Sequence, residues 1–172
     1  RVQSFSAVGR DLRDREAYEA RIHQLAHYDT LTGLPNLAHI NELIGRSTAA
    51  ARENKTLVAL ANINLDRFRL IDEGFGRSAA DEILKSVGSS LTGAVRERDA
   101  VARVGHDEFL VVLSGLADHV EATVVLQRML DSIATPRRIG GQEIQITATA
   151  GLAVYPHVGS DFETLLGKAG AA

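Results

Sequence analysis

The sequence predicts an α/β sandwich in which helices surround a central, mainly antiparallel sheet. Three observations carry that expectation. Leu57–Leu65 is a nearly continuous apolar run, as a strand buried on both faces requires. Val101–Val104 and Phe109–Leu113 are β-branched apolar runs separated by the polar tip Gly105-His106-Asp107-Glu108, which reads as a β-hairpin. Between and around them lie stretches with apolar residues at helical spacing. The implied order is α-β-α-β-β-α-β-α.

Taken in order, residues 1–7 are short and β-like and predict a strand. The charged stretch that follows, DLRDREAYEARIHQLAHY, predicts a helix with Val8, Leu12, Tyr18, Ile22 and Leu25 near one side and Arg15 interrupting the stripe. It reads as an amphipathic signalling helix or as a solvated one. Gly33 and Pro35 break the chain within Asp29–Asn36. A helix over 37–53 is expected to turn Leu37, Ile40, Leu43, Ile44 and Ala51 inward. Beyond the central strand, Arg67–Gly76 reads as a loop. Residues 78–95 form a helix through Ala79, Ile83, Leu84, Val87 and Leu91. The hairpin comes next, then a helix over Asp118–Ile133, N-capped by Asp118 or a near neighbour. Ile139–Val154 carries Gly140-Gly141 and then alternation through Ile144, Ile146, Ala148 and Ala150, predicting strand with a second hairpin. Asp161–Ala169 opens a last helix.

A chain of 172 residues with 45% hydrophobic content suits one domain with a short appendage. A net charge of -3 gives no basic surplus, so nucleic acid is not an expected partner. The absence of cysteine excludes disulfides and thiolate metal sites and fits a reducing compartment. No apolar run approaches the ~18 residues of a membrane span. A cytoplasmic domain is therefore expected; whether the parent protein associates with a membrane stays open.

The hairpin tip holds two adjacent carboxylates, Asp107 and Glu108. Neighbouring residues on an extended chain point to opposite sides, so one can face a ligand while the other turns away. That suits the grip of a metal or phosphate group; a charged turn kept in water is the other reading. The tip has company. Arg103-Val104-Gly105-His106-Asp107-Glu108-Phe109 resembles the R-x-G-G-D-E-F signature of the GGDEF family of diguanylate cyclases. Asp29-Thr30-Leu31-Thr32-Gly33-Leu34-Pro35-Asn36 matches that family's D-x-L-T-G-L-x-N motif. Asn64-Leu65-Asp66-Arg67-Phe68-Arg69-Leu70-Ile71-Asp72 resembles its D-x-D-x-F-K-x-x-N stretch. The resemblance begins near residue 26. It implies a nucleotidyl-cyclase-like GGDEF domain over 26–172 with its C-terminal helix cut short. Residues 1–25 then resemble the exit strand of a PAS sensor followed by a signalling linker.

Members of the family join two GTP molecules into cyclic di-GMP, each 3′-hydroxyl attacking the other nucleotide's α-phosphate. Such chemistry is mostly positioning and charge neutralisation, usually with two Mg²⁺ or Mn²⁺ ions. The resemblance implies Asp107 and Glu108 as catalytic carboxylates, with Asp107 and the residue at position 64 as metal ligands. It places Gly105, His106, Phe68, Arg69, Asp72 and Asp81 around the nucleotide. Backbone N–H groups near Arg67 and Phe68 would cradle the terminal phosphates. Arg96-Glu97-Arg98-Asp99 matches the family's R-x-x-D inhibitory site, where Arg96 and Asp99 would hold cyclic di-GMP.

Three working positions depart from the pattern. Asn64 replaces a metal-binding Asp and brings no negative charge. Asp66, roughly 7 Å further along the strand, is too far to substitute. His106 replaces a glycine that would permit positive φ and close approach to phosphate. Asp72 replaces an Asn that helps read guanine; an ionised Asp only accepts. The expectation is a degenerate, regulatory domain that weakly binds metal, binds GTP or cyclic di-GMP, and relays a signal from a PAS-like sensor to a neighbour such as an EAL phosphodiesterase. An active cyclase and a nucleotide-free dimerisation module are the alternatives, and a homodimer is compatible with all three.

Overall fold

The computed structural model describes residues 2–157 and 162–171. Helix α1 (Val2–His27) leads into α2 (Leu37–Asn54), strand β1 (Leu57–Leu65), and helices α3 (Phe68–Phe75) and α4 (Arg77–Ala94). Hairpin strands β2 (Ala100–Arg103) and β3 (Glu108–Leu116) precede α5 (His119–Ala134). Short strands β4 (Arg137–Ile139) and β5 (Gln142–Ile144), then β6 (Ala148–Tyr155) and α6 (Phe162–Ala171), complete the order. The main sheet runs β2-β3-β1-β6 with every pairing antiparallel. The α/β sandwich expected from the sequence is therefore the fold.

β1 is central and buried on both faces, which is why its sequence reads as an unbroken apolar run. Ala59, Ala61, Ile63 and Leu65 meet α3, α4 and α5 through Ile71, Ile83, Leu84, Val87, Leu91 and Met129. Val58 and Leu60 turn to the opposite face, against Ile40 and Ile44 of α2 and Ala169 of α6. Asn36 caps α2, its side chain accepting the His39 N–H at 3.1 Å. Asp118 caps α5 by accepting from Glu121 N–H at 2.9 Å, while Glu121 Oε2 reaches back to Ala117 N–H at 3.2 Å.

Four expectations need correction. Residues 2–7 belong to α1 rather than to an exit strand, because extending an existing helix avoids the cost of a new nucleus; residue 1 lies outside the described residues. Residues 68–75 form α3, not a loop. Leu37 at the first position of α2 is exposed rather than inward. Residues 137–144 form a separate two-stranded sheet about Gly140-Gly141, and only β6 joins the main sheet. Asp161, expected to open the last helix, lies outside the described residues.

Arg137 fastens α4, α5 and β4 together. Its guanidinium donates to Ser86 Oγ (2.8 Å) and Ser90 Oγ (3.2 Å) on α4, and to the carbonyls of Ser132, Ile133 and Thr135 at the end of α5. Burial pulls its pKa below the ordinary value, without making it neutral near pH 7. Arg137→Met removes these bonds and strands the carbonyls, so it is expected to lower stability by about 2 kcal/mol in urea denaturation. A loss under about 0.5 kcal/mol would show that water replaces the guanidinium without penalty.

Candidate functional site

The tip between β2 and β3 is held from three sides. Within it, Val104 N–H (3.0 Å) and Gly105 N–H (3.4 Å) both donate to the Glu108 carbonyl. A Cβ at Gly105 would stand 3.2 Å from Glu108 Cβ and Oε2, so a side chain there would press on Glu108. From β1, Leu65 N–H donates to the Asp107 carbonyl at 3.0 Å. From below, Arg103 binds both oxygens of Asp29 at 3.0 and 3.2 Å and the His106 carbonyl at 2.9 Å.

Asp29 also accepts from the Thr32 hydroxyl (2.6 Å) and amide (2.8 Å). Burial alone would raise its pKa, but the Thr32 bonds and then Arg103 outweigh that and hold it below the usual carboxylate range. Thus the 29–36 turn and the signature arginine form one brace under the tip.

The register places Asn64 directly opposite Glu108 on one side and Thr149 of β6 on the other. Residues paired across antiparallel strands share a face, so Asn64, Glu108 and Thr149 form one row. Asp107 adjoins that row, meeting β1 through its carbonyl. Asp66 is committed elsewhere: its carboxylate accepts from the hydroxyls of Thr147 (2.7 Å) and Thr149 (2.8 Å). It is not free to replace the missing Asp at position 64.

His106 does not sit in the left-handed region, unlike Arg67 (φ 54°) and Lys55 (φ 55°). The tip therefore accepts a side chain there without the backbone strain of a positive φ. Its imidazole lies edge-on to Phe68, ring centroids 5.3 Å apart. Phe68 itself is buried in the core.

Left-handed Arg67 turns the chain from β1 into α3, and no side chain caps that helix start. Leu70 N–H donates back to the Arg67 carbonyl at 3.0 Å, and the N–H groups of Phe68 and Arg69 ahead of it carry the partial positive charge of a helix start. Arg69, exposed on this turn, pairs with Glu73 at 3.0 Å. Asp72 on α3 and Asp81 on α4 are half-buried on helices joined at Gly76. With φ 88° and ψ 165°, Gly76 makes a junction that a side chain would strain.

The Arg96–Asp99 turn forms a separate place. Both Asp99 oxygens accept backbone N–H groups, from Arg96 and from Ser114, each at 2.9 Å. Arg96 pairs with Glu121 of α5 at 3.0 Å. The Ala117 N–H and then Arg96 and Arg98 hold the Glu121 pKa below the usual range. A cavity of about 980 Å³ lies here between α4 and α5, lined in part by Arg96, Glu121 and Arg128. A groove of about 760 Å³ runs beside Asp66, Arg67 and Thr149 at the end of β1.

The donors at the tip are all oxygens, the carboxylates of Asp107 and Glu108 and the amide of Asn64, which in kind suit Mg²⁺ or Mn²⁺. Among the described residues, no three His, Asp or Glu side chains converge to hold a metal by themselves. Sequence reasoning missed Thr147, Thr149 and Glu121, whose roles arise from tertiary pairing. The period-two spacing of the two threonines is the one local hint that they share a face.

The antiparallel sheet with its braced tip, the helix pair joined at Gly76 and the Arg96–Asp99 turn define an α/β domain of the nucleotidyl-cyclase type. A family model described as diguanylate cyclase, GGDEF domain, matches residues 26–172, and the chain belongs to that family. It is 33% identical over 172 residues to the cyclic di-GMP phosphodiesterase NbdA of Pseudomonas aeruginosa, covering 100% of this chain and 22% of that protein. It is 33% identical over 168 residues to the diguanylate cyclase TpbB of the same organism, covering 90% of this chain and 38% of that protein. The solved GGDEF domain of TpbB superposes with a TM-score of 0.81 at 34% identity, covering 84% of each chain. The chain thus spans well under half of the curated relatives it matches. Among the described residues, no helix is long and apolar enough to cross a membrane.

Proposed function

We propose that this is a regulatory GGDEF domain in cyclic di-GMP signalling, binding GTP or cyclic di-GMP with little or no synthesis. The observation that carries the reading is the neutral Asn64 opposite Glu108, at the position where the family uses an aspartate. Mg²⁺ or Mn²⁺, when bound with nucleotide, would neutralise phosphate charge. Asp107 would hold it with only the Asn64 amide for support, beside Glu108 as the second carboxylate of the tip. The N–H groups at the start of α3 would receive terminal phosphates, and Asp72 and Asp81 would accept from the N–H donors of guanine.

The Arg96–Asp99 turn is the proposed place for cyclic di-GMP. Asp99 there shapes the turn, while Arg96 supplies the charge once it leaves Glu121. Val8, Leu12, Tyr18, Ile22 and Leu25 are all at least half-exposed on α1, a stripe that fits a second copy of the helix. Such a dimer would carry a signal from a PAS-like sensor toward a neighbouring domain such as an EAL phosphodiesterase. Retention of both Asp107 and Glu108 favours the second reading, an active cyclase.

The test is to incubate the intact protein with GTP and Mg²⁺ or Mn²⁺, assay cyclic di-GMP, and measure both nucleotides by calorimetry. Binding without sustained turnover is expected; steady synthesis would establish the active reading instead. Arg96→Ala is expected to weaken cyclic di-GMP binding about tenfold, the loss of a charged phosphate contact, while leaving GTP binding unchanged. Equal cyclic di-GMP affinity in the variant would remove the Arg96–Asp99 turn from the account.

A further inference from the structure

We infer that the junction of α1 and α2 is a proton-operated clamp, closed when His27 is charged. The last turns of α1 carry His23 and His27, and the first turns of α2 carry His39 and Glu42. Each pair has the spacing that puts two side chains on one helix face. His27 Nδ1 lies 3.0 Å from the His23 carbonyl. A carbonyl only accepts, so Nδ1 carries the proton and the neutral ring keeps its lone pair on Nε2. That Nε2 stands 3.7 Å from Glu42 Oε1. In the neutral state two acceptors face each other and nothing joins them. A proton on Nε2 turns the same approach into an ion pair between α1 and α2.

Three imidazoles meet at this junction, and the Glu42 carboxylate approaches the ring of His27. His39 lies edge-on to His27 (5.7 Å) and to Tyr28 (5.0 Å), and its Nδ1 is buried without a hydrogen-bond partner. His23 stacks on His27 at 4.4 Å, where a second positive charge would be repelled. Glu42 approaches the His27 ring, so a proton on His27 Nε2 gains an ion pair across the junction. Two residues further on, Asp29 is paired with Arg103 at 3.0 Å.

Two further ties between α1 and the start of α2 do not titrate. Asn36 N–H donates to the His27 carbonyl and Asn36 Nδ2 to the Ala26 carbonyl, each at 2.9 Å. These keep the junction in place at any pH, and the proton changes only how firmly the end of α1 is held. Because α1 is otherwise exposed, this junction is where a movement of that helix enters the domain. The clamp is closed at low pH and opens as pH rises.

Amide hydrogen exchange of His23–His27 in the intact protein tests this without any nucleotide. After correction for intrinsic rates, protection at pH 5.5 is expected to exceed that at pH 8 by roughly twofold to fivefold, the range of an exposed ion pair. Glu42→Gln is expected to bring that ratio to one. His27→Lys, charged at both pH values, is expected to keep the higher protection throughout. A wild-type ratio of one, or a Glu42→Gln variant that retains the wild-type ratio, would overturn the clamp.

Discussion

Asp29→Ala is expected to destabilise the domain by about 3 kcal/mol at pH 7, the scale of breaking a largely buried pair by removing one partner. The side chains of Asp29 and Arg103 are 19% and 11% exposed, so the guanidinium left behind is poorly hydrated. The effect should reach the hairpin tip, because the same guanidinium holds the His106 carbonyl. Tip amides should exchange faster, and nucleotide affinity should fall with them. The pH dependence has a definite sign. The Asp29 pKa is lowered in the folded protein, so its contribution is present above the unfolded value near ~3.9 and is lost as pH falls through the lower folded value. Urea denaturation at pH 7 and pH 3 should therefore show the gap between wild type and Asp29→Ala narrowing in acid. An equal gap at both pH values would mean that packing, not the charge of Asp29, makes the difference.

How far this architecture is legible in the sequence depends on whether burial leaves a local trace. β1 is buried on both faces, and its nine residues show it as a continuous run. The hairpin is bounded by β-branched strands and a polar tip, so its place is plain. α3 is different. Only Phe68 and Ile71 of its eight residues are buried, which is too few for a helical period to stand out. The N-terminal residues favour strand locally, but the continuous helix that follows overrides them.

The site divides in the same way. Motif spacing finds Asn64, Asp107, Glu108, Arg96 and Asp99. It cannot find that Asn64 faces Glu108, that Asp99 is occupied by its own turn, or that Asp66 is bound by Thr147 and Thr149. His106 shows the converse: a residue that breaks the motif does not strain the tip's backbone, because the chain there does not take a positive φ.

Asn64→Asp is expected to raise Mg²⁺-dependent GTP affinity by about ten- to a hundredfold, since it turns a neutral metal ligand into an anionic one. The register adds a cost in the absence of metal. An aspartate at position 64 would face Glu108 directly across the strands. Like charges in that position destabilise a sheet by about 0.2–1 kcal/mol. The variant should therefore melt below wild type in EDTA and recover when Mg²⁺ is supplied, because a cation that binds only the folded state stabilises it. Asn62→Asp provides the control. Asn62 shares that face one pair earlier but is 6% exposed, and its Oδ1 has no hydrogen-bond partner. A charge there is buried, so that variant should lose stability whether or not Mg²⁺ is present. If Asn64→Asp instead bound GTP equally well with Mg²⁺ and with EDTA, the neutral residue at the end of β1 would not be what limits metal binding.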